Sequence, residues 1–471
     1  MMNKSAMAQV SETNYDRAAC AIGVVHLGYG AFHRAHQAVY LDACMGQTGD
    51  LRWGIAAVNL RAAESKTFAE NRFKNDGYLL KSVAPSGEVA LSRVRSHIAF
   101  SDWTTDQLEA EALLSLPSVK LVTITVTESG YYTDPTGCLD LNDATIAAEI
   151  SGQNGTSVYA YLAGALAARM ASINAPVTVS CCDNIRQNGK MLKRNFNAYL
   201  TALGQHDLRT WVADNVTFPC SMVDRITPRA TSELAQELSA LTGKTTVQPI
   251  MAEAFVQWVL EDNFAASMPE LTAAGVTVTK DVDPYEETKI RVLNGGHTCL
   301  AYLAALHGIE RFDQAMAEPE LFNHFWAFET KEVLPALTLA LPFSKHDYLD
   351  DIAARFKNEA IGDTVARICA DGVAKFPIFI RPTLEGCLSQ GVIPHHGIKS
   401  IASWYVFSRH VAAGKIPFDY VEPSWPQLEA MLGTDAFVQS NQLWGSLPTT
   451  YPEFAEHLRT AINEMETAWP I

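Results

Sequence analysis

The chain opens on an alternation of short apolar runs and amphipathic stretches. Ala21 to Leu27 is compact and mostly apolar and ends in Gly28-Tyr29-Gly30, which reads as a strand running into a glycine turn. Ala35 to Met45 has helical spacing, and Trp53–Val58 and Leu121–Thr127 are strand-like. Tyr159–Met170 is again helical and Val177–Cys181 again a strand. Strands separated by helices predict an α/β domain around a parallel sheet. Past residue 250 the pattern changes. Glu253–Phe264, Thr288–His307, Phe322–Leu334, Ile352–Phe356, Thr364–Asp371 and Ile398–Ala413 all read as helices, and clear strand alternation is scarce. The expected organisation is an N-terminal α/β domain over residues 1–284 and a mainly α-helical C-terminal domain over 285–471, with the boundary near Asp281–Pro284. Residues 1–19 read as a disordered or loosely attached leader.

Composition narrows the function classes. The chain has 471 residues, 48% of them apolar, and a net charge of −16 from 36 basic and 52 acidic side chains. Bulk attraction to nucleic acid or to an anionic membrane is therefore not expected, although a local basic pocket for an anionic cofactor stays open. Nine cysteines, none in Cys-x-x-Cys spacing, read as reduced thiols of a cytoplasmic protein. No signal peptide is visible in the polar stretch Met1–Arg17, and no apolar run reaches the roughly 18 residues of a membrane span. The expected partner is a small molecule, and a monomer is compatible with the sequence.

Gly28-Tyr29-Gly30-Ala31-Phe32-His33 supplies two of the three glycines of a dinucleotide fingerprint. The first glycine permits a tight turn and the second lets the backbone approach a pyrophosphate at a helix N-terminus. His33 stands where the third glycine is usual, so helix and strand cannot meet in the standard way. The bland alternative is an ordinary strand-to-helix turn. The acidic residue expected at the end of the second strand is absent: Asn59 stands near that place, followed by Leu60 and Arg61. Arg61 fits either a 2′-phosphate contact or a solvated side chain, so these residues leave NAD against NADP open.

The densest polar cluster is Glu286, Lys289, Asn294 and His297. On an α-helix, with Lys289 at 0°, Glu286 falls at about 60°, His297 at about 80° and Asn294 at about 140°, one sector bordered by Leu293, Leu300 and Leu303. Oxidising an alcohol needs a base for the hydroxyl proton and donors for the oxygen as it gains charge. A desolvated lysine can be the base, an asparagine amide a donor, and a histidine can orient the hydroxyl. The bland alternative is a surface helix with an ordinary Glu286–Lys289 pair. Tyr285 and Lys289 also form Tyr-x-x-x-Lys, the pair used by short-chain reductases, but far from the glycine turn. His33 and His36 resemble a metal pair without the further Cys or Glu ligands of a catalytic zinc site, so no metal is expected.

Five strings together resemble the mannitol dehydrogenase family of polyol-specific long-chain dehydrogenases. They are Gly28-Tyr-Gly-Ala-Phe-His-Arg-Ala-His-Gln-Ala38, Thr127-Glu-Ser-Gly-Tyr-Tyr132, Cys182-Asp-Asn-Ile-Arg-Gln-Asn-Gly189, Met222-Val-Asp-Arg-Ile-Thr-Pro228 and Lys289-Ile-Arg-Val-Leu-Asn-Gly-Gly-His297. The resemblance implies a Rossmann-type N-terminal domain, a helical C-terminal domain, no metal, and a site in the cleft between them. It assigns Lys289 as general base, Asn184 with Asn294 as oxyanion hole, His297 as the orienting group and Glu286 as proton relay. It places NAD at Gly28, Gly30, Phe32, Arg61, Thr127 and Glu128, and the polyol at Asp224, Arg367 and Lys375. The segments from Pro284 and from Ala370 look most like D-arabinitol 4-dehydrogenases, which convert D-arabinitol to D-xylulose. Mannitol 2-dehydrogenase is the near alternative. A hexuronate reductase would want an added cation, for which Arg381 is the candidate. A non-catalytic sensor on the same fold would be free to lose Lys289 or the asparagines; all are present.

Overall fold

The computed structural model describes residues 9–72, 77–134, 136–228, 231–243 and 248–471, with the side chains of 71 and 72 left aside. The chain divides into two compact units, one taking in the residues up to Ala84 and Glu88–Asp283, the other Pro85–Gly87 and Pro284–Ile471.

The first unit is built on a six-stranded, wholly parallel sheet. Its spatial order is His97–Asp102, Gly54–Asn59, Ile22–Leu27, Leu121–Ile124, Val177–Cys181, Val216–Thr217. In chain order that is 3-2-1-4-5-6, the Rossmann arrangement, which reverses direction beside Ile22–Leu27. Both faces are covered, so a strand such as Val177–Cys181 is buried at every position, its Thr178 and Ser180 included. Some of the helices of this unit start at side-chain caps: Ser157 accepts from the Ala160 amide ahead of Val158–Ser172, and Asp143 caps Ala144–Ile150.

Two smaller sheets complete this unit, and they overturn two expectations. The stretch Glu253–Phe264 is not a helix. Ile250–Glu253 is a strand of a four-stranded sheet, and Gln257–Glu261 pairs antiparallel with Ser221–Asp224, with Asp224 opposite Gln257. Trp258, Val259 and Leu260 are fully buried. A short apolar run covered on both sides carries no period to separate strand from helix, and Glu253 and Glu261, eight apart, imitate a polar helix face. The leader is also less loose than expected from Val10 onward; residues 1–8 of it lie outside the described residues. Val10–Ser11 pairs with Leu91–Ser92, and the Arg17 guanidinium donates to the carbonyls of Arg95 and His97. Leu121–Thr127 is a strand only to Ile124, and His97–Asp102, the third strand of the main sheet, was not read from sequence.

The second unit is helical throughout, around a core that includes Phe376 stacked on Trp404 with ring centroids 4.4 Å apart. Two of its helices are interrupted by π-helical segments, Lys289–Asn294 and Glu329–Val333. Among the described residues, no helix is long and apolar enough to cross a membrane. All nine cysteines are free thiols.

Candidate active site

Strand Ile22–Leu27 delivers the chain to Gly28, whose φ of +96° and position rule out a side chain: a Cβ there would lie 2.2 Å from the Thr125 carbonyl oxygen. Gly30 precedes the short helix Ala31–Ala35, and a Cβ on it would meet nothing within 4 Å. The open space is a cavity of about 310 Å³. Gly28, Gly30, Arg61 and Thr127, four of the residues assigned to the cofactor from sequence, line it. Phe32 and Glu128 are not among its lining. Phe32 stacks on His36, centroids 5.0 Å apart, and Glu128 opens the 3-10 turn Glu128–Tyr131.

Sequence reasoning missed Arg34, Glu64 and Gln248, which also line the cavity. Arg34 lies over the Tyr29 ring and donates to the Gln248 carbonyl at 3.1 Å, so two arginines face this space in a chain of net charge −16. The missing acid is explained too. Asn59 donates to Asp102 Oδ1 at 3.0 Å and to the Arg61 carbonyl, a position where a second carboxylate would repel Asp102. The acid facing the cavity is Glu64, five residues later on the 3-10 turn Ala62–Glu64. His33 replaces the third glycine by packing its ring flat on His26 of the first strand, with centroids 3.2 Å apart.

Asp183 organises the strand-end loop that carries Thr127. It accepts from the Val126 and Thr127 amides at 2.9 and 3.0 Å and from the Tyr131 hydroxyl at 2.6 Å. Burial nevertheless pushes its carboxyl up to about 6. Asn184 follows it, exposed, just beyond the carboxyl end of Val177–Cys181. Asn188 donates to the carbonyls of both Asp183 and Ser221, tying this turn to the strand Ser221–Asp224, where Asp224 is buried.

In the second unit Glu286 closes the helix Asp283–Thr288, and the lysine cluster then enters the π-helical turn. The Gly295 amide bonds to the Ile290 carbonyl, five residues back. That spacing changes the geometry expected from sequence. On an α-helix Asn294 stands about 140° away from Lys289; i→i+5 closure widens the turn and narrows that angle. The surface-helix alternative also fails, because every residue from Lys289 to Asn294 is buried, with Lys289 only 7% and Asn294 9% exposed. Arg291 is paired inside this turn with Glu287 at 3.1 Å and donates to Thr383.

His297, on the following helix Gly295–Leu306, stacks on Phe356 at 4.0 Å. Burial, with Arg367, Arg355 and Lys375 nearby, holds it well below the usual imidazole range, hence neutral. The same electrostatic neighbourhood thus gathers His297, Arg367 and Lys375. Arg367 is paired with Asp363, and Lys375, its charge disfavoured by burial, donates to the Ile368 carbonyl at 2.9 Å. Arg381 pairs with Glu385 at 3.5 Å. Among the described residues there is no group of three or more His, Cys, Asp or Glu able to hold a metal ion.

Residues 22–273 match the mannitol dehydrogenase Rossmann domain and residues 281–466 the mannitol dehydrogenase C-terminal domain. The chain is 36% identical over 432 residues to D-arabinitol 4-dehydrogenase of Ralstonia nicotianae, covering 90% of this chain and 92% of that protein. It is 36% identical over 422 residues to mannitol 2-dehydrogenase of Cereibacter sphaeroides, covering 89% and 88%. Among solved structures it resembles Pseudomonas fluorescens mannitol 2-dehydrogenase in ternary complex with NAD and D-mannitol. The TM-score is 0.87 at 28% identity, over 97% of this chain and 94% of that one.

Proposed function

The chain belongs to the mannitol dehydrogenase family, and we propose that it is an NAD-dependent polyol dehydrogenase that oxidises D-arabinitol to D-xylulose without a metal. The observation that supports the chemistry is the burial of both Lys289 and Asn294 within one π-helical turn. The glycine turn supports the cofactor assignment: Gly30 faces open space beside Arg34 and Arg61.

Bound NAD⁺ supplies the hydride acceptor. Lys289 Nζ takes the hydroxyl proton as the alcohol carbon loses its hydride. Asn294 donates to the oxygen as negative charge builds there, and Asn184 is assigned the same role on family resemblance. Neutral His297 orients the hydroxyl, while Arg367, Lys375 and Asp224 hold the remaining hydroxyls. Glu286 passes the proton from Lys289 onward. Gly28, Gly30, Arg61 and Thr127 hold the cofactor, and Phe32 and Glu128 are retained there by resemblance alone.

D-Mannitol is the second reading, since the two named relatives are equally identical to this chain. The experiment is NADH formation from D-arabinitol before and after exhaustive chelation. Activity should be unchanged by the chelator. Loss of activity that zinc restores overturns the metal-free assignment, and absence of any NAD⁺-linked polyol oxidation overturns the reading as a whole.

A further inference from the structure

His33 and His36 stand in the fingerprint string, yet neither faces the cavity nor has a place in the chemistry above. Both belong to one buried hydrogen-bonded chain. His36 Nε2 lies 2.8 Å from the carbonyl oxygen of Gln257, so that nitrogen carries the proton and donates. His36 Nδ1 is then the acceptor for the Gln37 amide N–H at 2.9 Å. The Gln37 oxygen accepts from His33 Nδ1 at 3.3 Å, which leaves His33 Nε2 to accept from His97 Nε2 at 2.9 Å. Each link dictates the next tautomer, so the chain has one polarity from His97 to the Gln257 carbonyl. Burial keeps the His33 and His97 rings neutral, which this pattern requires.

The two ends are informative. Near the His97 end, His33 rests on His26, whose Nε2 bonds the hydroxyl of Thr125 at 3.0 Å, and Thr125 lines the cavity and backs Gly28. At the other end Gln257 lies directly across the antiparallel ladder from Asp224. Residues in register share a face of their sheet, so a shift of Gln257 moves its partner. His36 sits at the break between the helices Ala31–Ala35 and Gln37–Thr48. Tyr40 and Arg225 staple the same junction, to the Val256 and Ala35 carbonyls.

We propose that His97, His33, Gln37 and His36 are positioning residues that fix the strand pair carrying Asp224 to the dinucleotide-binding turn, and thereby set polyol affinity. The inference rests on the reading above, in which Asp224 holds the polyol and the cavity takes NAD.

The test is the split between polyol and cofactor constants. His36→Phe keeps an aromatic ring and removes both polar ends; His36→Gln keeps an acceptor and a donor. His36→Phe should raise the KM for D-arabinitol roughly five- to tenfold, the effect of one buried hydrogen bond, with the KM for NAD⁺ unchanged. His36→Gln should return it to within about twofold. Should His36→Phe not fold, Gln37→Met cuts the chain one link earlier and must give the same rise. A folded His36→Phe enzyme with wild-type polyol KM overturns the proposal. So does equal damage to both constants in His36→Phe and His36→Gln, which is loss of packing alone. Asp224→Asn separates the premise from the relay. If Asp224→Asn leaves polyol KM untouched, the underlying assignment falls and the relay with it. If it raises KM while His36→Phe is silent, only the relay falls.

Discussion

The proposed role of Lys289 as base rests on its burial, on Asn294 buried in the same π-helical turn, and on a neutral histidine eight residues on. Lys289→Ala should lower kcat on the order of 10²–10⁴-fold, flatten the alkaline rise of the oxidation rate and leave NADH binding near wild type. Asn294→Ala should lower kcat while preserving the shape of the pH profile, because it removes a donor and not a titrating group. A Lys289→Ala enzyme with an unchanged profile would return the role of base to Tyr285 or His297. His324 gives a separate residue-scale prediction. It is buried against Cys299 and Ser400, and burial holds it down at about 3. The unfolded chain therefore takes up this proton first, and stability is lost as pH falls from about 6.5 toward 3, at about 1.4 kcal/mol per pH unit. Asp183 and Glu332, raised by burial to about 6 and about 7, act in the opposite sense over that range. The comparison must therefore be made against His324→Gln. The variant should be less stable than wild type at pH 7, and the gap in Tm should narrow by pH 5; a constant gap would exclude the assignment. Glu64, Arg34 and Asp183 were invisible as site residues because contact across a turn, not spacing along one element, brings them in.

At the scale of elements, the glycine turn separates two uses of the same residue. Gly28→Ala puts a Cβ against backbone at positive φ, and should cost on the order of 3 kcal/mol of stability with a clear fall in Tm. Gly30→Ala fits the protein itself, since nothing lies within 4 Å, and should leave Tm unchanged. Its methyl group occupies the cavity, so the Kd for NADH should rise roughly tenfold, about 1.4 kcal/mol. Equal NADH affinity in Gly30→Ala and wild type would remove the cofactor from this cavity. The π-helical turn shows what periodicity alone misses. The residues of the lysine cluster are plain in the sequence, but one widened turn re-aims Asn294, and no single-residue preference announces it. The misread stretch Glu253–Phe264 fails for a related reason: its strand identity comes from the partner Ser221–Asp224, more than thirty positions away.

For the whole molecule, the two matched domains span most of the chain, so substrate choice is set by details within a shared architecture. The proposed preference for a pentitol rests on the segments following Pro284 and Ala370, which resemble those of D-arabinitol 4-dehydrogenases. D-Arabinitol should therefore show a higher kcat/KM than D-mannitol with NAD⁺, and the reverse order would move the assignment to mannitol 2-dehydrogenase. The same assay with NADP⁺ weighs Arg61 against Glu64, which face one cavity with opposite charge. NAD⁺ should win, because a 2′-hydroxyl can donate to a carboxylate whereas a 2′-phosphate is repelled by it.

The fold class, the first, second, fourth and fifth strands of the Rossmann sheet and some of the C-terminal helices, among them Gly295–Leu306 and His395–Ala412, were legible in the order of residues. These follow from local periodicity, turn residues and motif strings, which are properties of neighbours along the chain. Tertiary structure alone decided that Gln257–Glu261 is a strand and that Val10–Ser11 is tied down. It also decided that Lys289 and Asn294 are buried in one π-helical turn, and that His33 stands in place of a glycine by stacking on His26. Each of these depends on a partner distant in sequence or on a change of helical pitch, and neither leaves a periodic trace in the order of residues.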